Sequence, residues 1–132
     1  NGGFSGSETP WLPMENAHCN QAVDIQEQDS DSVLSAYRTF LGWRKNQLCL
    51  QYGDIDFIES DDEKLVFIRS YKESQQQEKI VVVANFTDQS IEYVVKGNEP
   101  KLLVGHGFEK VKLSNDTQTV SVGAFQIAYV SL

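Results

Sequence analysis

The hydrophobic residues of this chain change their spacing near Leu48. Between Asp29 and Asn46 they recur every three to four residues, which is the period of one face of an α-helix. From Ile55 onward they alternate with polar residues or form short runs, as β-strands separated by turns do. One helix followed by many strands predicts a mainly β protein in which the strands bury a common core.

The helical segment is predicted to begin at Asp29, whose carboxylate can cap the first turn. Its apolar arc holds six residues, namely Val33, Leu34, Tyr37, Phe40, Leu41 and Leu48. The opposite face carries small residues instead of the usual charges, namely Ser35, Thr39 and Gly42. Because small residues allow a second element to approach closely, we expect this helix to be covered on both sides.

Arg44 falls within the apolar arc near the end of the helix. Two interpretations are open. Arg44 can be a capping cation whose aliphatic stem lies on apolar surface. Alternatively, it is partly buried and pairs with a carboxylate of another element, because an unpaired buried charge is costly.

The residues after Leu48 predict seven or eight short strands. Ile80 to Ala84 is continuously apolar, which is typical of a central strand buried on both faces. In the last strand, Phe125, Ile127 and Tyr129 are expected to form the inner face. We therefore predict an antiparallel β-sandwich over residues 49–132, preceded by an irregular loop over residues 1–28 and by the helix.

Charge and hydropathy exclude several classes of partner. The chain has 19 acidic and 11 basic residues and a net charge of −8, so no basic patch is available for nucleic acid. No apolar run reaches the roughly 20 residues of a membrane-spanning helix. We expect no nucleic-acid partner, no membrane partner and, without a visible signal peptide, a cytoplasmic location.

The cysteines and histidines are too few and too scattered to predict a metal site. Cys19 and Cys49 are the only cysteines, and we expect both to be free thiols. His18 next to Cys19 has no second pair at ligand spacing. No metal and no cofactor are predicted.

The acidic residues form no catalytic pattern that can be argued from spacing. Asp54 and Asp56 share one face of a strand, which paired glycosidase carboxylates could also do, but such residues are usually solvated. Asp61 to Glu63 is expected to be a charged turn. Asn85-Phe86-Thr87 and Asn115-Asp116-Thr117 match the glycosylation pattern, and both are interpreted as structural. No catalytic residue is assigned.

Trp11 is the single candidate for substrate binding. It lies between Pro10 and Pro13, where its ring could stack on a sugar. The alternative is that Trp11 anchors its loop in an apolar pocket.

Several short motifs together resemble a known family. Their order is Gly3-Phe4, Pro10-Trp11, Asp31-Ser32, Arg44-Lys45 and then Val83-Ala84-Asn85-Phe86. This order is similar to the C-terminal portion of bacterial α-glucosidases and oligo-1,6-glucosidases of the α-amylase superfamily, over essentially the whole chain.

The resemblance implies a division of roles. Residues 1–48 would be the end of a (β/α)8 barrel, comprising the loop after its eighth strand and its last helix, and residues 49–132 would be the C-terminal β-sandwich. Members of the family hydrolyse α-glucosidic bonds with retention, using carboxylates on barrel strands that none of these residues match. The chain alone is therefore expected to be inactive. Its partner would be the barrel of the same polypeptide, and α-glucoside oligosaccharides would bind through the full enzyme.

Two other classes of function stay open at this point. The sandwich could be a carbohydrate-binding module with Trp11, Tyr52 or Tyr71 as its platform, or a protein-interaction module. A chain without its barrel would also expose apolar area near Phe4, Trp11 and Trp43, which predicts self-association of the fragment or packing of its N-terminal segment onto the sandwich.

Overall fold

The structure is a computed structural model that describes residues 6–7, 11–12, 14–107, 111–114 and 116–132. Within these ranges the helices are α1 (Asn16–Cys19), α2 (Val23–Gln26), α3 (Val33–Arg44) and α4 (Leu48–Tyr52). The strands are β1 (Asp54–Ser60), β2 (Lys64–Glu73), β3 (Gln76–Asn85), β4 (Ile91–Val94), β5 (Lys101–Leu102), β6 (Val111–Ser114), β7 (Thr119–Val122) and β8 (Ile127–Ser131). The chain divides into two compact units, residues 1–40 and residues 41–132, with the division inside α3.

The first unit is more regular than predicted. Residues 1–28 were expected to be irregular, but α1 and α2 each form one helical turn there. Segments of four residues are too short to show a hydrophobic period, so the pattern could not reveal them.

Helix α3 begins four residues later than predicted. Its N-cap is Ser32, whose hydroxyl oxygen accepts from the Ser35 amide at 3.2 Å. Asp29 instead closes the preceding turn, because its Oδ1 accepts from the Asp31 amide at 2.9 Å. The expected cap at Asp29 is therefore wrong. Asp29 and Ser32 are both good capping residues, so the sequence pattern does not show which of them lies at the start of the helix.

The second unit contains two antiparallel sheets. The larger has the strand order β1-β2-β3-β8-β5, and the smaller has the order β4-β7-β6. Chain order does not match sheet order, because β8 returns to pair with β3 after β4, β6 and β7 have formed the other sheet. The predicted mainly β, antiparallel architecture is confirmed.

The two sheets enclose one core of small aliphatic side chains. Its buried members come from both sheets, namely Val66, Val81, Val83, Val95, Val111, Val120, Val122, Ala128 and Val130. Valine dominates because β-branched side chains fit the pleated surface of a sheet. A shared core between facing sheets makes this unit a β-sandwich.

The inner face of β8 differs from the prediction. Ala128 and Val130 point into the sandwich core, while Tyr129 lies on the opposite face of the sheet and is also buried. Phe125 precedes the strand at a positive φ of 53° and is 67% exposed. Because both faces of β8 are apolar, hydrophobicity alone could not identify the face that meets the other sheet.

Asn85 joins the end of β3 to the end of β7. Its Nδ2 donates to the carbonyls of Gln89, Val122 and Gly123 at 2.7, 3.1 and 2.9 Å. Its Oδ1 accepts from the amide and hydroxyl of Thr87. The amide is buried and fully used, which confirms the structural interpretation of this triplet, whereas Asn115 lies outside the described residues.

Candidate interaction surfaces

Helix α4 covers the face of the five-stranded sheet that points away from the core. This face, called the helix-covered face, carries Phe67, Arg69, Ile80, Val82 and Tyr129. Cys49 and Leu50 of α4 are buried, and α4 packs on β2 and β3. The continuously apolar β3 is therefore buried on both faces, as its composition predicted.

Gly53 lets the chain pass closely from α4 into β1. A Cβ atom at this position would lie 2.6 Å from the carbonyl oxygens of both Cys49 and Ser70. Both atoms belong to the backbone and cannot move aside cheaply. A side chain at position 53 would therefore push α4 away from the sheet.

Three buried polar contacts hold α4 in place. Glu78 of β3 accepts from the Cys49 amide at 2.6 Å, which caps the first turn of a helix whose own N-cap, Gln47, makes no side-chain bond. Arg69 of β2 donates to the Gly53 carbonyl at 2.6 Å. A carboxylate near the start of a helix and cations near its end both interact favourably with the helix dipole.

Arg44 makes the third contact. Its Nη2 donates to the Leu50 carbonyl at 2.6 Å, and its side chain is half-buried. The partner is a backbone carbonyl of α4, so the predicted pairing with a carboxylate is not what the structure gives. The carbonyls in the last turn of a helix have no intrahelical partner, and Arg44 satisfies one of them.

Cys49 belongs to α4, and its side chain is fully buried. Burial, and then the neighbouring Glu78 carboxylate, raise its pKa to about 12. A thiol that stays protonated is a poor nucleophile, so Cys49 is a packing residue. Both Cys19 and Cys49 are free, as predicted.

An aromatic cluster packs beside α4 on the same face. The ring centroids of Trp43, His106 and Tyr129 are 4.9 to 5.2 Å apart. His106 is fully buried, and its Nε2 lies 3.1 Å from the Leu103 carbonyl, which can only accept, so Nε2 carries the proton. Burial raises the pKa of Tyr129 to about 12, with Arg44 lowering it less strongly. The sequence pattern gave no sign that these residues meet.

Beyond α4, the helix-covered face becomes exposed. Phe57 of the edge strand β1 is 65% exposed, and its ring centroid is 5.9 Å from that of Phe67. Tyr52 is 71% exposed and its ring lies 6.5 Å from that of Tyr71. Each pair joins residues of two neighbouring elements, so no single stretch of the sequence shows it.

In the first unit, the exposed apolar side chains include the predicted binding residue. Trp11 is 93% exposed and Leu12 is 63% exposed. The interpretation of Trp11 as a loop anchor in an apolar pocket is therefore wrong for this chain. Its role in sugar binding stays a prediction.

Helix α3 has no buried residue, although an apolar arc was predicted along it. Val33 and Tyr37, one turn apart, are 80% and 59% exposed. On the small face, a Cβ atom added at Gly42 would meet nothing within 4 Å. The expected cover on both sides of this helix is thus absent from the part of the chain that the structure describes.

The acidic residues behave as solvated side chains. Asp54 and Asp56 are exposed on β1. Asp61 accepts from the amides of Glu63 and Lys64 at 2.8 Å, and these bonds lower the pKa of its carboxyl group. The predicted charged turn at Asp61 to Glu63 is confirmed, and Asp61 serves as its cap.

Among the described residues, no three histidine, cysteine, aspartate or glutamate side chains lie together as they would around a metal ion. His18 is exposed on α1. None of the described helices is both long enough and apolar enough to cross a membrane.

Comparison with known proteins relates the chain to larger enzymes. It is 40% identical over 126 residues to a probable α-glucosidase of Rhizobium meliloti, covering 94% of this chain and 22% of that protein. It is 29% identical over 90 residues to an oligo-1,6-glucosidase of Parageobacillus thermoglucosidasius, covering 68% of this chain and 15% of that protein. No protein-family model matches the chain.

A solved structure has the same fold. The crystal structure of an α-glucosyl transfer enzyme superposes with a TM-score of 0.78 at 25% identity, covering 92% of this chain and 22% of that one. A sandwich with a preceding helix, matching the C-terminal part of larger enzymes, defines an α-amylase-type C-terminal β domain. The chain belongs to the α-glucosidase and oligo-1,6-glucosidase group of the α-amylase superfamily and corresponds to the C-terminal part of its members.

Proposed function

We propose that this chain is the non-catalytic C-terminal part of a retaining α-glucosidase. The observation that carries the proposal is the unequal coverage, since the match extends over 94% of this chain and 22% of the Rhizobium meliloti protein. The full enzyme would hydrolyse α-glucosidic bonds of malto- or isomalto-oligosaccharides in the cytoplasm. Its catalytic carboxylates would lie in a (β/α)8 barrel outside these residues.

The role of the chain in that enzyme is structural. Residues 1–48 would complete the barrel, and residues 49–132 would form the sandwich that packs on it. The exposed Val33 and Tyr37 support this role, because a helix with an apolar face normally buries it against another element. Trp11, 93% exposed, would contact the sugar in the assembled enzyme.

Two experiments test the proposal. The coding sequence upstream of Asn1 should encode a barrel with an aspartate nucleophile and a glutamate acid. Residues 1–132 alone, assayed with maltose, isomaltose and p-nitrophenyl α-glucoside, should release no product above the buffer rate. Turnover by the purified chain, or an upstream sequence without a barrel, would contradict the proposal.

The exposed helix face gives a third test. Sedimentation of the isolated chain should show self-association that Val33→Glu and Tyr37→Glu both weaken, because each places charge on the apolar face. Val104→Glu is a matched control, since Val104 is 62% exposed in the second unit. Equal weakening by the control would show that the α3 face is not the contact.

A further inference from the structure

We infer that the second unit carries a binding cleft for a neutral oligosaccharide, next to the start of α4. The inference goes beyond the proposed function, because it concerns a ligand site formed by residues 46–78 of this chain. The choice of α-glucosides as first ligands rests on that function, whereas the existence of the cleft does not.

The cleft encloses about 350 Å³ and lies between the β2–β3 hairpin and the residues before α4. Its lining includes Asn46, Tyr71, Gln76 and Glu78. Tyr71 and Glu78 are directly paired across β2 and β3, so their side chains share one face of the sheet. Gln76 lies two residues before Glu78 on β3 and therefore shares this face.

The aromatic wall of the cleft extends beyond its lining. Tyr71 contacts Tyr52, whose ring is 71% exposed, and the two ring planes are inclined by 48°. The Tyr71 hydroxyl donates to the Glu73 carboxylate, which fixes the ring. The exposed Tyr52 ring and the partly buried, hydrogen-bonded Tyr71 ring provide apolar area for the C–H groups of a sugar.

The polar side chains of the cleft can form hydrogen bonds with the hydroxyl groups of a sugar. The amides of Asn46 and Gln76 can donate and accept, and both side chains are exposed. Glu78 is partly buried and uses its Oε2 for the Cys49 amide, so its position is fixed. None of the described residues lining the cleft is cationic, which disfavours anionic ligands, and the Oε2 of its one carboxylate, Glu78, already accepts from the Cys49 amide. The remaining amide groups and the Tyr71 ring match neutral polyhydroxy compounds.

The tight hairpin explains why the sequence did not reveal this arrangement. The polar run of residues 73–78 is typical of a hairpin loop, but β2 and β3 continue through it and pair as far as Glu73 with Gln76. Only Ser74 and Gln75 form the turn, with Ser74 at a positive φ of 53°. Gln76 thus lies in the paired end of the sheet, on the same face as Tyr71.

The test is titration of the chain with maltotriose, isomaltotriose and cellotriose, followed by amide chemical shifts. We expect shifts centred on Asn46, Tyr71 and Gln76 with at least one of these sugars. Tyr52→Ala should weaken binding about tenfold, since losing one stacked ring removes about 1.4 kcal/mol. Gln76→Ala should weaken it as well, and neither side chain is needed for folding because both are exposed.

Phe86→Ala is the matched control, since Phe86 is an aromatic residue that is 51% exposed just after β3 and is not among the residues that line the cleft. It should leave binding unchanged. Binding of cellotriose alone would support the cleft and count against its link to an α-glucosidase. No shifts with any sugar, shifts confined to Trp11, or binding unaffected by both cleft variants would overturn the inference.

Discussion

The outer faces of the two sheets contrast strongly. On the five-stranded sheet, Ile80 and Val82 point away from the sandwich core and are still 0% and 2% exposed, because α4 packs over them. On the three-stranded sheet, Glu92, Val94 and Lys112 point outward and are exposed. The larger sheet is therefore buried on both faces at β3, where α4 packs, and the smaller sheet is buried on one face, which explains why β3 is continuously apolar while β4 and β6 alternate.

The contrast also predicts different losses of stability for substitutions on the two faces. Removing a side chain from the covered face disturbs packing and leaves polar groups without partners. A change on the open face exchanges one solvated group for another. The following experiments test this difference, from the largest expected effect to the smallest.

The same substitution on both faces should give the largest difference. Val82→Asp should lower the free energy of unfolding by about 3–5 kcal/mol, because it buries a charge without a partner. Val94→Asp should cost no more than about 1 kcal/mol, since Val94 lies on the open face. Urea denaturation of both variants measures this. Similar losses would show that α4 does not shield the larger sheet.

Asn85→Ala should cost about 2–3 kcal/mol, because the carbonyls of Gln89, Val122 and Gly123 lose their donor at the junction of the two sheets. Asn98→Ala is the control, since Asn98 is exposed, and it should stay within about 0.5 kcal/mol of wild type. Thermal unfolding followed by circular dichroism distinguishes them. Equal stability of the two variants would show that Asn85 does not hold the ends of β3 and β7 together.

Gly53→Ala and Gly42→Ala should change stability in opposite directions. Alanine at position 53 would push α4 off the sheet and cost about 2 kcal/mol, because its Cβ meets two backbone oxygens. Alanine at position 42 should stabilise α3 by about 0.5–1 kcal/mol, since it meets nothing and has the higher helix propensity. Chemical denaturation measures the change in the free energy of unfolding for both variants. A stabilising Gly53→Ala would contradict the close approach of position 53 to the Cys49 and Ser70 carbonyl oxygens.

Glu78→Gln should cost about 1 kcal/mol. The amide can still accept from the Cys49 N–H, but the negative charge at the start of α4 is lost. Glu92→Gln is the control on the open sheet and should have almost no effect. Denaturation midpoints in low salt compare the two, and an equal loss in both would point to net charge as the cause.

Ionisation of the Cys49 thiol should leave stability unchanged at neutral pH and should lower it in alkali. Its pKa is about 12 in the folded chain and near its ordinary value of 9.0 when unfolded. Above pH 9 the unfolded state loses this proton first, so the free energy of unfolding falls as pH rises towards 12. Cys49→Ala should make this fall shallower than in wild type.

Alkylation tests the burial of the Cys49 thiol independently. At pH 8, iodoacetamide should modify the partly exposed Cys19 of the folded chain and leave the buried Cys49 intact until urea is added. Equal rates for both thiols would mean that α4 opens readily.

Prediction from sequence succeeded where one physical rule dominates. The strand-rich half, the double burial of β3 and the charged turn at Asp61 follow from local periodicity and turn chemistry. It failed where two local options are equivalent. Asp29 and Ser32 are both good caps, and both faces of β8 are apolar, so neither choice could be made without the rest of the chain.

The candidate surfaces could be predicted only in part. Trp11 could be named because its proline neighbours single it out along the chain. The aromatic cluster of Trp43, His106 and Tyr129 could not, since its members are more than 20 residues apart and carry no local signal. The same holds for Tyr52 and Tyr71, which meet only because α4 leads into β1 beside β2.

The sequence by itself determined that α3 precedes an antiparallel β-sandwich, because hydrophobic period is a local property of each element, whereas the short helices α1, α2 and α4 were not predicted. Its motif order also indicated the family that the relatives support. Only the tertiary structure decided which faces are covered. That outcome depends on Glu78 and Arg69 reaching α4 from strands that follow it in the chain, and on Arg44 reaching it from the end of α3. Such contacts leave no period in the sequence.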